Sequence, residues 1–235
     1  MSIVADNLER VKTAIAEAAE RSGRGPDSVL LVAVSKTKPA ELVREAVDAG
    51  HFDFGENYAQ ELRDKAAAVD DERVRWHFIG HLQKNKVKYL AGLAHDIQSV
   101  DRVELAREIE KRSGKAGTVM RAFLEVNLGE EETKSGARVD EVMDVVREVR
   151  SMEHIKLIGL MTMPPFFDDP EGVRPYYRRL RELRDELRDK TGEPDFLPEL
   201  SMGLSGDYEV AIEEGATMVR VGTAIFGERE TGHQR

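Results

Sequence analysis

Apolar positions along the chain alternate between two periods. Val4, Leu8, Val11, Ile15 and Ala18 recur at helical spacing and predict an amphipathic helix that ends at the breaker Gly23-Arg-Gly-Pro26. The period then changes. Val29-Leu-Leu-Val-Ala-Val34 is a short, continuous apolar run rich in β-branched residues, the pattern of a strand buried on both faces. A helix from Pro39 to Ala49 follows, with proline at its start and Gly50 just past its end. The same alternation predicts strands near Phe52–Phe54, Arg75–Ile79, Asp96–Val100, Val119–Asn127, Ile155–Met161, Glu199–Met202 and Met218–Val221. Helical stretches lie between them at Ala59–Val69, Arg102–Lys111, Val139–Arg150, Val173–Lys190 and Tyr208–Glu214. About eight β/α units is the number that closes a parallel barrel, so the expected fold is α/β, a (β/α)8 TIM barrel with an extra N-terminal helix. An open, doubly wound sheet has the same local pattern and is the alternative. No Pro/Ser-rich linker divides the chain, and residues 1–235 are expected to form a single domain.

Three segments invite a chemical reading and have a plainer one. Arg174–Lys190 carries six arginines, but Tyr176, Leu180, Leu183 and Leu187 form an apolar stripe along it. Arg178/Glu182 and Arg181/Asp185 stand at i,i+4, which predicts a solvated barrel helix laced by ion pairs. Ser113-Gly-Lys-Ala-Gly117 lacks the upstream glycine and following Ser/Thr of a phosphate loop and reads as a turn. His77 and His81 straddle a strand end and the Gly80 turn rather than one helix face, so no metal site is expected there.

Composition narrows the function classes. The formal net charge of -10 argues against general nucleic-acid binding, which needs a basic footprint, and leaves room for a local pocket that takes one small anion. The chain has no cysteine, which excludes disulfides, thiolate zinc sites and cysteine nucleophiles. Neither a secretory signal nor an apolar run long enough to span a bilayer is present. The expectation is a cytoplasmic protein with no membrane partner. No exposed helix carries a continuous second apolar face that would demand a dimer.

In a parallel barrel the chemistry sits at the C-terminal ends of the strands. Lys36 follows the first strand in Val34-Ser-Lys-Thr-Lys-Pro39. Partial desolvation there would lower its pKa and make the neutral amine nucleophilic, as imine formation with an aldehyde requires. A surface lysine in a turn explains the position equally well. Ser201-Met-Gly-Leu-Ser-Gly206 follows the seventh predicted strand and Gly222-Thr223 the eighth. Small residues and hydroxyls at these two loops suit a phosphate, because backbone N–H groups can approach it closely. Arg220, inside the final strand, must be paired or face the mouth.

Leu31-Val-Ala-Val-Ser-Lys-Thr-Lys-Pro39, Phe54-Gly-Glu-Asn-Tyr58, Trp76-His-Phe-Ile-Gly80 with Leu82-Gln83 and Asn85-Lys86, Gly159-Leu-Met-Thr162, Leu200-Ser-Met-Gly203 and Val219-Arg-Val-Gly-Thr-Ala-Ile-Phe-Gly227 together resemble the pyridoxal phosphate homeostasis proteins, in the right order over nearly the whole chain. The resemblance implies a barrel like the N-terminal domain of alanine racemase, with pyridoxal 5'-phosphate (PLP) held as a Schiff base on Lys36. It implies Asn57 beside the ring, Ser201, Gly222 and Thr223 at the phosphate, and Arg220 at the pyridine nitrogen. An arginine there favours the unprotonated ring nitrogen, a weaker electron sink than a pyridinium. The function implied is vitamin B6 homeostasis without established turnover, with PLP-dependent apoenzymes as recipients.

A racemase-like enzyme is the first rival. It needs a second base opposite the lysine, for which Tyr58 and His77 are conceivable. A Schiff-base aldolase acting on a sugar phosphate is the second, and Glu56 would be its carboxylate, although its position at a helix start suggests capping.

Overall fold

The computed structural model describes residues 2–129 and 135–228. Helix α1 (Ile3–Arg21) opens on Ser2, whose hydroxyl accepts the Ala5 amide at 3.3 Å, and buries the predicted stripe from Val4 to Ala18. Strands β1 (Leu30–Val34), β2 (Asp53–Glu56), β3 (Arg75–Phe78), β4 (Asp96–Val100) and β5 (Met120–Asn127) follow in order. A two-residue strand, β6 (Ala137–Arg138), precedes β7 (Ile155–Met161), β8 (Glu199–Ser201) and β9 (Met218–Val221). All pairings are parallel in the order β4-β3-β2-β1-β9-β8-β7-β5, and β4–β5 closes the ring. The result is a closed eight-stranded barrel, and β6 pairs only with the end of β5. The open-sheet alternative is excluded by that closure.

Helices α2 (Ala40–Asp48), α3 (Ala59–Val69), α4 (Val103–Ala116), α5 (Val142–Val149), α6 (Arg174–Thr191), α7 (Tyr208–Glu213) and α8 (Thr223–Phe226) complete the β/α alternation. Between β3 and β4 the chain forms only a 3-10 helix, Lys84–Tyr89. A second such turn, Pro170–Val173, leads into α6. Alternation along the strands splits the apolar core in two. Leu31, Ala33, Phe54, Ala122 and Leu124 face the helices in one large cluster, whereas Val32, Phe123, Ile158, Met161 and Met218 form a small plug inside the barrel.

Three expectations are corrected. Ser113–Gly117 is no turn, because α4 continues through Ala116 and ends on Gly117 at φ 67°. Gly114 belongs inside that helix, since a Cβ there would meet the His154 ring at 2.7 Å. The buried stripe of α6 begins at Tyr177 rather than Tyr176, because the Tyr177 hydroxyl can donate to Asp207 at 2.8 Å and so be buried satisfied. Arg178 and Arg181 do not pair along the helix either. Both reach across to Glu214 after α7, a buried carboxylate that also takes Arg174.

Candidate functional site

A cavity of roughly 410 Å³ opens at the C-terminal ends of the strands, lined among others by Lys36, Asn57, Arg220, Gly222 and Thr223. Five of the six residues singled out from the sequence therefore meet in one space. Ser201 does not line it.

Lys36 is carried by a turn that is tied down on both sides. Ser35 donates its hydroxyl to Glu56 Oε1 at 2.7 Å, and its carbonyl accepts Lys65 Nζ at 2.6 Å. The Thr37 amide donates to Glu61 Oε1 at 2.6 Å. Lys65 bridges the two carboxylates at 2.7 Å each, so β2 and α3 grip both neighbours of Lys36. Thr37 holds φ 63°, a left-handed conformation that a β-branched residue adopts only when its surroundings enforce it. Glu56 is fully buried, and that burial raises its pKa against the pull of Lys65. It caps no helix, contrary to the expectation from its position.

Arg220 is 1% exposed and projects from β9 beneath the cavity. Its Nη1 donates to the Ser201 carbonyl at 2.8 Å and hydroxyl at 2.5 Å, and its Nη2 donates to the Thr162 carbonyl at 2.9 Å. It makes no ion pair among the described residues, and its bonds go to neutral oxygens. Burial draws its pKa down, while Tyr177 and Glu125 act in the opposite sense.

The other end of the cavity is built from two loops. Ser205 accepts the Gly222 amide at 3.2 Å, and Leu204 donates its amide to Asp207 at 2.7 Å. Gly222 lets the end of β9 approach β1, since a Cβ there would lie 3.1 Å from the Val34 carbonyl. Gly203, at φ 99°, turns the chain where a Cβ would strike Ala211 at 2.7 Å. Asn57 leans on Gly80 so closely that a Cβ at 80 would sit 2.2 Å from its carbonyl. Its Oδ1 is buried without a partner among the described residues. Met163, Phe166 and Phe167 wall the rim, with Phe166 90% exposed and the Phe167 ring tilted against Tyr176 at 5.7 Å between centroids.

The remaining candidates lie elsewhere. Tyr58 is 62% exposed, does not pack at the helix start, and lines an adjoining cleft with His81. His77 is buried toward the barrel base between Asp53 and Asp96, away from the mouth. No cluster able to hold a metal ion occurs among the described residues. No helix among them is long and apolar enough to cross a membrane. Sequence reasoning placed Ser205 in the Ser201–Gly206 loop without singling it out, and it left Asp207 and the aromatic rim unnoticed, although their position after strand ends was a usable signal. It also overlooked Lys65, which an α-helical pattern gives no reason to single out.

The family profile described as "Alanine racemase, N-terminal domain" matches residues 6–230. A curated relative from Aquifex aeolicus (strain VF5), named "Pyridoxal phosphate homeostasis protein", is 48% identical over 225 residues, covering 96% of this chain and 98% of the relative. The chain belongs to the pyridoxal phosphate homeostasis protein family. Among solved structures, PipY of Synechococcus elongatus PCC7942, described with PLP bound, superposes with a TM-score of 0.83 at 32% identity. That match covers 95% of this chain and 100% of PipY. An alanine racemase from Clostridium difficile 630 superposes at TM-score 0.68 and 15% identity, over 97% of this chain and 58% of the racemase. The racemase likeness is one of fold alone. The pyridoxal phosphate homeostasis proteins and the racemase thus share the barrel that the strand order closes here.

Proposed function

We propose that this chain binds PLP in the mouth cavity through a Schiff base to Lys36, and that it holds and releases the cofactor in intracellular vitamin B6 homeostasis without catalytic turnover. The observation that carries this reading is the convergence of Lys36, Asn57, Arg220, Gly222 and Thr223 on one cavity. The residues fit the group. The orphaned Asn57 Oδ1 wants a donor, Ser205, Gly222 and Thr223 border the cavity where an anion would sit, and Arg220 is a buried cation with no ion pair among the described residues. When bound, PLP supplies an aldehyde that an amine captures reversibly and a ring able to delocalise charge.

Lys36 supplies the amine from a turn pinned at Ser35 and Thr37, so its approach is set before the ligand arrives. Arg220, a permanent donor, faces the ring nitrogen and keeps it unprotonated. Asn57 lies beside the ring. Gly222 and Thr223 take the phosphate, and Ser205 joins them there. Ser201, fully buried and engaged by Arg220, serves behind the ring instead of at the phosphate expected of it.

The non-catalytic half is supported by relatives named as homeostasis proteins. It is supported also by His77, committed to two carboxylates away from the mouth, and by Tyr58 outside the cavity lining. In this reading the protein is cytoplasmic and monomeric, and PLP-dependent apoenzymes receive the cofactor.

The purified protein should absorb in the visible as an imine that borohydride fixes on Lys36, and Lys36→Ala should lose that band. A colourless protein that takes up no PLP would overturn the reading. Incubation with alanine and other amino acids, followed by chiral analysis, should show no inversion; detectable inversion would favour the racemase-like enzyme.

A further inference from the structure

A line of buried polar groups climbs the inside of the barrel and ends on Arg220. At its base Arg75 grips both oxygens of Asp53. His77 places Nε2 3.0 Å from Asp53 and Nδ1 2.7 Å from Asp96. A ring with a carboxylate at each nitrogen carries both protons, so His77 is an imidazolium although it is fully buried. Asp96 then accepts the Gln98 amide nitrogen at 3.1 Å, and Gln98 Oε1 accepts the Ser201 hydroxyl at 2.7 Å. The same nitrogen also points at Met218 Sδ, 3.0 Å away.

These contacts leave no freedom in the direction of the protons. Were the Gln98 amide turned over, its oxygen would face the Asp96 carboxylate. Its nitrogen therefore faces Asp96 and its oxygen faces Ser201. The single proton of Ser201 goes to Gln98, which turns a lone pair toward Arg220 Nη1 at 2.5 Å. Without Gln98 the Ser201 hydroxyl could rotate and present its proton to the guanidinium, a repulsive contact in a site closed to water.

We propose that Gln98 is a positioning residue for the cofactor ring: acting through Ser201, it fixes the direction in which Arg220 presents its guanidinium to the mouth cavity. The proposal rests on the reading that PLP is held on Lys36 with Arg220 at its ring nitrogen. Gln98 does not line the cavity. Its effect must pass through Arg220, and this separates positioning from simple support of the fold.

The test loads the full-length protein with PLP and compares wild type, Gln98→Met, Arg220→Lys and the double variant. Gln98→Met keeps the side-chain length and removes both hydrogen-bonding groups. It should still trap PLP on Lys36 with borohydride. It should release PLP roughly tenfold faster, the effect of about one hydrogen bond on a charged group, and shift the pH midpoint of the imine absorbance. In the Arg220→Lys background the same substitution should change neither quantity further. Wild-type release and midpoint in Gln98→Met, or additive effects in the double variant, would overturn the proposal. Should Gln98→Met not fold, Ser201→Ala breaks the same line one bond nearer Arg220 and carries the same expectations. A wild-type protein that traps no PLP on Lys36 would instead overturn the underlying reading, and the proposal with it.

Discussion

Glu125 stands two residues after Phe123 on the same face of β5, which puts its carboxyl inside the barrel, and it is 6% exposed. Burial, helped by the charge of Asp101 and opposed by Arg220, raises its pKa from 4.5 to about 7. A carboxyl whose folded pKa lies above its unfolded one penalises folding increasingly as pH rises between those values. Glu125→Gln should therefore raise the unfolding free energy by about 2–3 kcal/mol at pH 8 and leave it nearly unchanged at pH 4, measured by urea denaturation. Nothing in the sequence singles out this residue, because a glutamate in a strand acquires meaning only from what the closed barrel sets around it. Lys36, Gly222 and Thr223 were legible for the opposite reason: strand ends in a parallel barrel all open on one mouth. Ser201 and Ser205 were harder to tell apart, since four residues separate the inside of β8 from the loop beyond it. Gln98 was invisible, as its partners Asp96 and Ser201 lie on the same and on a distant strand.

At the scale of elements, α3 and β2 act together on the turn that bears Lys36. Lys65 holds the buried Glu56 and the partly buried Glu61 at 2.7 Å each. Lys65→Met leaves a buried carboxylate uncompensated and should lower the unfolding free energy by about 3–5 kcal/mol, read from chemical denaturation. Adding Glu56→Gln should restore part of that loss, since it removes the stranded charge. The β3 end and the residue after β2 are similarly interdependent. Gly80→Ala forces a methyl against the Asn57 backbone and should destabilise by about 3 kcal/mol or more while weakening PLP uptake, checked by thermal melting and absorbance titration. Element existence was readable because continuous apolar runs and amphipathic stripes alternate so regularly. The 3-10 segment Lys84–Tyr89 escaped because its lysines show no apolar period, and its one buried residue, Val87, cannot set one.

At the scale of the whole molecule, the barrel interior is apolar only in a thin plug, with charge below it and the ligand cavity above. Burial lowers the pKa of His77, but Asp96 and Asp53 outweigh it and raise it to about 9, while His77 and Arg75 overcome the burial of Asp53 and hold it at about 2. The histidine contribution is complete below about pH 6.5 and is lost as pH rises through about 9. The aspartate contribution is present above about pH 4 and is lost as pH falls through about 2. With the Glu125 penalty added, stability should peak on the acidic side of neutrality, and His77→Gln should flatten the alkaline limb of a plot of melting temperature against pH. The pair β1–β9 joins the first and last of the described strands, in register from Leu30↔Met218 to Ala33↔Val221. Lys36 stands just past one side of that seam, and Gly222 and Thr223 just past the other. The two halves of the site meet only once β9 has docked on β1, so a ligand held from both sides would clasp the barrel shut along that join.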